Sequence, residues 1–164
     1  MTFQLTEPIL LIGLGGVGAR LAEKSKKSLN SDCLLISNDH KDLTSENSIK
    51  ISTKSVVNPS THLIRGSALE TSDEIKKNIA NYSTVILMSN LAGKNGAGIG
   101  PIVSRICKQE QKNLLSFAIM PFKFEKERIF QSGIALKRIR QDSQSTIVVD
   151  NDALLDSNPD LTQK

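Results

Sequence analysis

The sequence predicts a doubly wound α/β domain, with a mostly parallel sheet and helices on both faces. Three observations carry this. Short apolar runs with no polar alternation recur along the chain, as strands buried on both faces require. Stretches with helical spacing separate them. Two glycine-rich segments, GLGGVG at Gly13–Gly18 and GKNGAGIG at Gly93–Gly100, each follow an apolar run and precede a helical one. In such sheets ligands bind beyond the carboxyl ends of the strands, where both segments fall.

The elements follow in order. Ile9-Leu10-Leu11-Ile12 is a first strand, stopped by glycines, and Val17 to about Leu29 is a helix with a basic outer face. Cys33-Leu34-Leu35-Ile36 is a second buried strand, ended by Ser37-Asn38-Asp39, and Ile49–Ser52 alternates as an edge strand. Ser55–Arg65 contains Asn58-Pro59 and reads as loop. Leu69–Ile79 reads as helix, with capping types at Thr71-Ser72-Asp73. Thr84–Met88 is a strand, Ile99–Lys112 a helix, and Leu114–Met120 a strand closed by Pro121. Glu125–Arg140 is a helix with Ile129, Phe130, Ile134 and Ile139 as inner positions, and Thr146–Val149 a last strand. The domain runs over 1–155, and 156–164 is a polar tail.

Composition narrows the function classes. The 164 residues carry a net charge of +4, with 38% hydrophobic and 23% charged residues, as in an ordinary globular domain. One Tyr, no Trp and five Phe leave little material for base stacking, so no DNA or RNA partner is expected. Lys24-Lys26-Lys27 and Lys137-Arg138-Arg140 read as solvated helix faces. Cys33 and Cys107 fit neither a disulfide framework nor a metal site, and a buried free thiol in a reducing compartment is the default. His40 and His62 have no clustered ligands and read as solvent-facing loop residues. No apolar run is long enough to span a bilayer, and a cytoplasmic location is expected.

The first glycine loop fits G-x-G-x-x-G. Glycines let backbone come close to a phosphate, and the helix start supplies oriented N–H groups. Alone it is compatible with an NAD(P)-binding Rossmann domain in which Asn38 or Asp39 meets the ribose. That reading leaves the second glycine segment unexplained. The P-loop pattern fails there, because Asn95 follows Lys94 and no glycine stands at the upstream position.

Taken in order, the loops resemble the N-terminal nucleotide-binding domain of the tubulin/FtsZ family, and FtsZ more than tubulin. Gly13–Ala19 resembles the family's first glycine loop, and Ile36-Ser37-Asn38-Asp39 with Leu43 resembles I-N-T-D-x-x-x-L. Arg65-Gly66 with Glu74-Ile75 resembles R-G-L-G-A-G-A-N-P-E-I. Ala92–Gly98 with Pro101-Ile102-Val103 sits where G-G-G-T-G-[ST]-G and A-P-V-V would be. Pro121–Glu125 resembles P-F-x-F-E, and Val148–Leu154 resembles I-x-I-P-N-D-x-L.

The resemblance implies a GTP or GDP site built from Gly15, Gly16, Gly18, Asn38, Asp39, Gly93, Lys94, Asn95, Gly96, Ala97, Gly98, Glu125 and Arg128. Mg²⁺ is implied only with a triphosphate. Several residues depart from the family pattern. Asn95 and Ala97 replace hydroxyl residues, Lys94 replaces a glycine, and Ala68-Leu69-Glu70 puts a carboxylate where G-A-G approaches the terminal phosphate. Arg20 stands near the Asn that helps hold the nucleoside. The family's catalytic acids lie in a loop past a long central helix, and its C-terminal domain lies beyond that; this sequence stops at Lys164, so no catalytic residue is carried over and little independent hydrolysis is expected.

Three functions follow as expectations. The first is a weakened guanine-nucleotide binder tied to cell division or a cytoskeletal filament, self-associating or meeting an FtsZ-like partner. The second is a partner or regulator of a filament protein that binds no nucleotide, and the third an NAD(P) domain. Plainer readings stand beside them. The first-loop glycines can serve a tight turn, Asn151-Asp152 a helix cap, and Glu125 with Arg128 an i,i+3 pair.

Overall fold

The computed structural model describes residues 5–54, 57–123 and 125–150. Six strands form one sheet, β1 (Ile9–Leu14), β2 (Asp32–Ser37), β3 (Ser48–Lys50), β4 (Thr84–Asn90), β5 (Asn113–Met120) and β6 (Ser145–Asp150). Their order is β3-β2-β1-β4-β5-β6, and every pairing is parallel. The helices are α1 (Gly15–Ser25), α2 (Thr61–Glu70), α3 (Ser72–Ile79), α4 (Lys94–Gln109) and α5 (Lys126–Asp142). The chain leaves β1 toward β2 and β3, then returns to place β4 on β1's other side. The carboxyl ends of β1 and β4 therefore diverge at a topological switch point, where a cleft opens.

Strand alternation sorts the core into two faces. Leu10, Ile12 and Leu14 pack with Ile64, Ile75, Ile99 and Val103 under α2, α3 and α4. Ile9, Leu11, Leu35 and Ile86 pack with Ala19 and Ala22 of α1 on the opposite face. No helix among the described residues is long and apolar enough to cross a membrane. Cys33 and Cys107 are buried free thiols. Burial, reinforced by Glu23 and opposed by Lys26, pushes the Cys33 thiol up to about 11. Burial likewise pushes Cys107 up to about 12.

Three sequence expectations are corrected. Part of the segment read as loop is α2, which Ser60 starts by accepting the Leu63 N–H at 3.2 Å. Ala68-Leu69-Glu70 is accordingly the last turn of α2 rather than a phosphate-facing loop. His62 thus lies on a helix, though exposed as expected. Second, α4 begins at Lys94, five residues ahead of the expected start, because its glycines are helical.

Third, α5 presents another face. Ser132, Ala135 and Ile139 are buried, whereas Ile129, Phe130 and Ile134 are exposed, Phe130 by 76%. The cause is close packing: Ser132 Oγ donates to the Leu91 carbonyl at 2.6 Å, and a Cβ on Gly100 of α4 would stand 3.0 Å from Ile139 Cδ1. Ser132 on α5 and Gly100 on α4 let the two helices approach closely enough to bury Ile139, and Ile129, Phe130 and Ile134 lie on the outer side. The tail 156–164 and Asn151-Asp152 lie outside the described residues.

The glycines separate by role. A Cβ on Gly18 would stand 2.5 Å from the Met88 carbonyl oxygen, whereas one on Gly133 would meet open space. Gly18→Ala is expected to cost about 1–3 kcal/mol in urea unfolding through overpacking. Gly133→Ala, on an exposed helical position, is expected to gain roughly 0.5–1 kcal/mol. Equal effects from the two would contradict this assignment.

Candidate functional site

Two helix starts converge at the switch point. The first N–H groups of a helix have no carbonyl within it to bond. Neither α1 nor α4 carries a side-chain cap or an acidic residue in its first turn, unlike α2, which has a cap, or α3 and α5, which have acids. Ala97 N–H already reaches the Gly93 carbonyl at 3.0 Å, which leaves Lys94, Asn95 and Gly96 as the first-turn donors of α4. Their partial positive charge favours an anion.

Asn95 joins the surrounding elements. Its Oδ1 accepts the Asn38 N–H at 3.0 Å, and its Nδ2 donates to Asn38 Oδ1 at 2.9 Å. Across from it, Gly15 has φ +67°, and a Cβ there would stand 3.0 Å from Asn95 Cβ. The positive φ, which side chains other than Gly rarely adopt, and the tight contact both favour glycine at this position. One amide thus ties the end of β2 to α4 and lies against the start of α1.

Two clefts flank the head of α4. The first, about 510 Å³, is lined by Asn38, Asp39, His40, Thr53, Asn58, Pro59, Ile64, Lys94, Asn95 and Arg128. The second, about 380 Å³, is lined by Ser60, Thr61, Leu91, Ala92, Gly93, Lys94, Ala97, Glu127, Arg128 and Gln131. Both volumes lie in the range of small-molecule sites. Lys94 and Arg128 belong to both linings, and Lys94 Nζ donates to Asn58 Oδ1 at 2.6 Å.

The structure brings together Asn38, Asp39, Gly93, Lys94, Asn95, Ala97 and Arg128 of the expected site, with Gly15 behind Asn95. Gly16 faces a separate groove with Arg20, Lys24, Lys41 and Asp42. Gly18, Gly96 and Gly98 are packing residues: a Cβ on Gly96 would overlap the Asn90 carbonyl, and one on Gly98 would stand 3.1 Å from the Thr61 carbonyl oxygen. Asp39 caps a short 3-10 turn at His40–Asp42 through the Lys41 N–H at 3.0 Å.

Glu125 lines neither cleft. Its Oε2 accepts the Phe122 N–H at 2.7 Å, and its Oε1 lies 3.7 Å from Arg128 as an i,i+3 pair. Sequence reasoning missed Asn58, Pro59, Thr53 and Gln131, and read His40 only as a solvent-facing residue. The signal for the first two is in the sequence: Pro59-Ser60 ahead of α2 marks a helix start, and Asn58-Pro59 carries the N-P step of R-G-L-G-A-G-A-N-P-E-I.

Comparison with known proteins agrees with this fold. The family model described as Tubulin/FtsZ family, GTPase domain, matches residues 53–159, more than half of the chain. The chain belongs to the tubulin/FtsZ family. Among family members, cell division protein FtsZ 1 of Halobacterium salinarum is 26% identical over 94% of this chain and 41% of its own length. FtsZ 2 of the same organism is 31% identical over 53% of this chain and 22% of its own. Among solved structures, an empty FtsZ dimer from M. jannaschii superposes with a TM-score of 0.84 at 24% identity, over 94% of this chain and 48% of that one. CetZ from Methanosaeta thermophila gives 0.74 at 17%, over 92% and 48%. The chain spans less than half the length of these relatives.

The Asn38–Asn95 amide pair is a measurable unit. Asn95→Ala is expected to lower stability by about 1–2 kcal/mol for two lost hydrogen bonds. A double-mutant cycle with Asn38→Ala should give a coupling of about 0.5–1.5 kcal/mol. Additive effects would show that the pair does not act as one contact.

Proposed function

We propose that this chain holds a guanine nucleotide, GDP or GTP, by its phosphates at the head of α4, as a cell-division or cytoskeletal member of its family. Binding is weak, and hydrolysis by this chain alone is slight or absent. The observation that carries the reading is the convergence of two uncapped, acid-free helix starts, α1 and α4, at the switch point, with Lys94 and Arg128 at the clefts' margin. That arrangement suits a phosphate and disfavours a carboxylate-coordinated metal. Mg²⁺ is relevant only when a triphosphate is bound.

Three features support weak binding. Asn95 and Ala97 bring no hydroxyl to the phosphates. The Asn95 amide is already satisfied by Asn38 and lies between the two helix starts, so a ligand must displace or skirt it. Asp39, which could meet the nucleoside, is engaged in capping the turn that follows it. The same features favour a second reading, a filament partner that binds no nucleotide, because a site closed by its own amide pair is self-sufficient. Self-association or contact with an FtsZ-like filament is proposed in either case.

Calorimetry with GTP, GDP and NADH separates these readings. A dissociation constant between about 10 μM and 1 mM for guanine nucleotides is expected, corresponding to roughly 4–7 kcal/mol. Arg128→Ala is expected to weaken it about tenfold, and phosphate release from GTP should stay near the buffer rate. No heat at millimolar GTP would leave the partner reading, which co-sedimentation with an FtsZ filament then tests. Tight NADH binding would overturn both.

A further inference from the structure

We propose that the outer surface of α5, with Arg65 of α2, docks an acidic amphipathic helical segment of a partner protein. Apolar side chains of that segment rest on Phe130 and Ile134, and one of its carboxylates is held between Arg138 and Arg65. Nucleotide binding plays no part in this inference.

Helical geometry sets out the surface. Phe130, Ile134 and Arg138 stand at i, i+4 and i+8 on α5, so they form one stripe along it. All three are exposed, Phe130 by 76% and Ile134 by 37%, while Ser132, Ala135 and Ile139 face the core. The place of Arg65 follows from two contacts on α4. A Cβ on Gly98 would stand 3.2 Å from Ile64 Cγ2, and one on Gly100 would stand 3.0 Å from Ile139 Cδ1. Arg65 and Arg138 are the chain neighbours of those isoleucines, so they stand at about one level on the two flanks of α4. Burial, with the charge of Arg138, pushes the Arg65 guanidinium below its ordinary value.

These two arginines lack an acid of their own. Arg65 Nε is buried without a hydrogen-bond partner, and among the described residues neither arginine makes an ion pair. No acidic residue occurs along α4, and α2 has only Glu70, at its end. On α5, Glu127 lies in the first turn, far from Arg138. Asp142, one turn beyond Arg138, is turned toward α4, where it accepts Ser104 Oγ at 3.3 Å and lies 3.9 Å from Lys108 Nζ. Exposed Lys137 and Arg105 add further positive charge nearby. A buried guanidinium donor left unpaired beside a like charge is costly, so the arrangement calls for an acceptor from outside.

The chemistry selects the occupant. A carboxylate matches the planar guanidinium fork. A large exposed aromatic side chain next to arginine is the composition of an interface anchor. The spacing of Ile134 and Arg138 requires a partner whose apolar group and carboxylate lie one turn apart, which a helix supplies. A lipid surface suits mobile lysines at its headgroups and does not reach into a half-buried arginine.

The test uses the full chain and a fluorescein-labelled amphipathic peptide of leucine and glutamate, about 18 residues long so that it can be helical. Anisotropy should show binding, weakened about fivefold or more when glutamine replaces glutamate in the peptide. Arg138→Gln, Arg65→Gln and Phe130→Ser should each weaken it to a similar degree. Lys24→Gln, which removes the same charge from α1 on the other face of the sheet, should leave it within about twofold. Arg65→Met keeps the apolar stem and removes the unpaired donor, so it should melt no lower than the native chain while losing the peptide.

Equal binding of the two peptides, or equal losses from Arg138→Gln and Lys24→Gln, would overturn the inference. So would an Arg65→Met protein that melts lower, which would make Arg65 a packing residue, or a native chain that binds no peptide. Tighter association with phosphatidylserine vesicles, abolished by Phe130→Ser, would assign the surface to a membrane instead. Dimerisation with rising concentration, abolished by the same substitution, would assign it to a second copy of this chain. Either result would also overturn it, and none bears on the nucleotide reading.

Discussion

The contact on which the rest of this structure depends is the approach of α4 to the end of β4. Gly96 lies so close to the Asn90 carbonyl that no side chain fits between them. Gly98 is similarly close to α2 at the Thr61 carbonyl, and Gly100 to Ile139 of α5. Three alternate glycines in one helix thus admit a strand and two helices on different sides. That packing fixes the axis of α4 and therefore the direction of its free N–H groups. A helix gripped in this way cannot retreat from the switch point without opening the core at Ile99 and Val103, both fully buried.

Chemistry at the site follows from that fixed axis. Asn95, the second residue of α4, is carried to the end of β2 and against Gly15, where its amide bridges to Asn38. Lys94, one residue earlier, is carried to the outer wall and to Asn58. One helical start thus presents a neutral bridge inward and a cation outward. Asn95 and Ala97 stand where the resemblance places hydroxyl residues, and both lie in the first turn of α4, which carries no side-chain cap. The hydrogen bond to Asp32, with burial, pushes the Tyr82 hydroxyl up to about 12.

Much of this was legible in the sequence. Unbroken apolar runs such as Leu34-Leu35-Ile36 have a single reading in an α/β chain, and all six strands were placed within two residues. The order of loops gave the family, since it depends on spacing rather than on any single side chain. What failed to show were features set by tertiary packing. Glycines at 96, 98 and 100 have poor helix propensity, yet they are helical because neighbours need the space their missing side chains leave. For the same reason α5 turns Ser132 and Ala135 inward beside Ile139, the one expected inner position that is buried, while Ile129, Phe130 and Ile134 face outward. The start of α2 was obscured by Asn58-Pro59, two loop residues that in fact bring the chain to the cleft and hand it to Ser60 as cap. Roles within the site were equally hidden: Gly18 and Gly15 belong to one motif, but only Gly15 has the positive φ and the Asn95 neighbour that place it at the head of α4.

The central claim is that the starts of α1 and α4 form one anion-holding unit. Its most direct test is an amide ¹H–¹⁵N spectrum of the protein titrated with GDP. Saturating shifts are expected at Lys94, Asn95, Gly96 and Gly15, with Asn38 responding through the Asn95 amide and the remote Cys107 unchanged. Absence of any shift at millimolar GDP, or shifts confined to residues outside these helix starts, would contradict it.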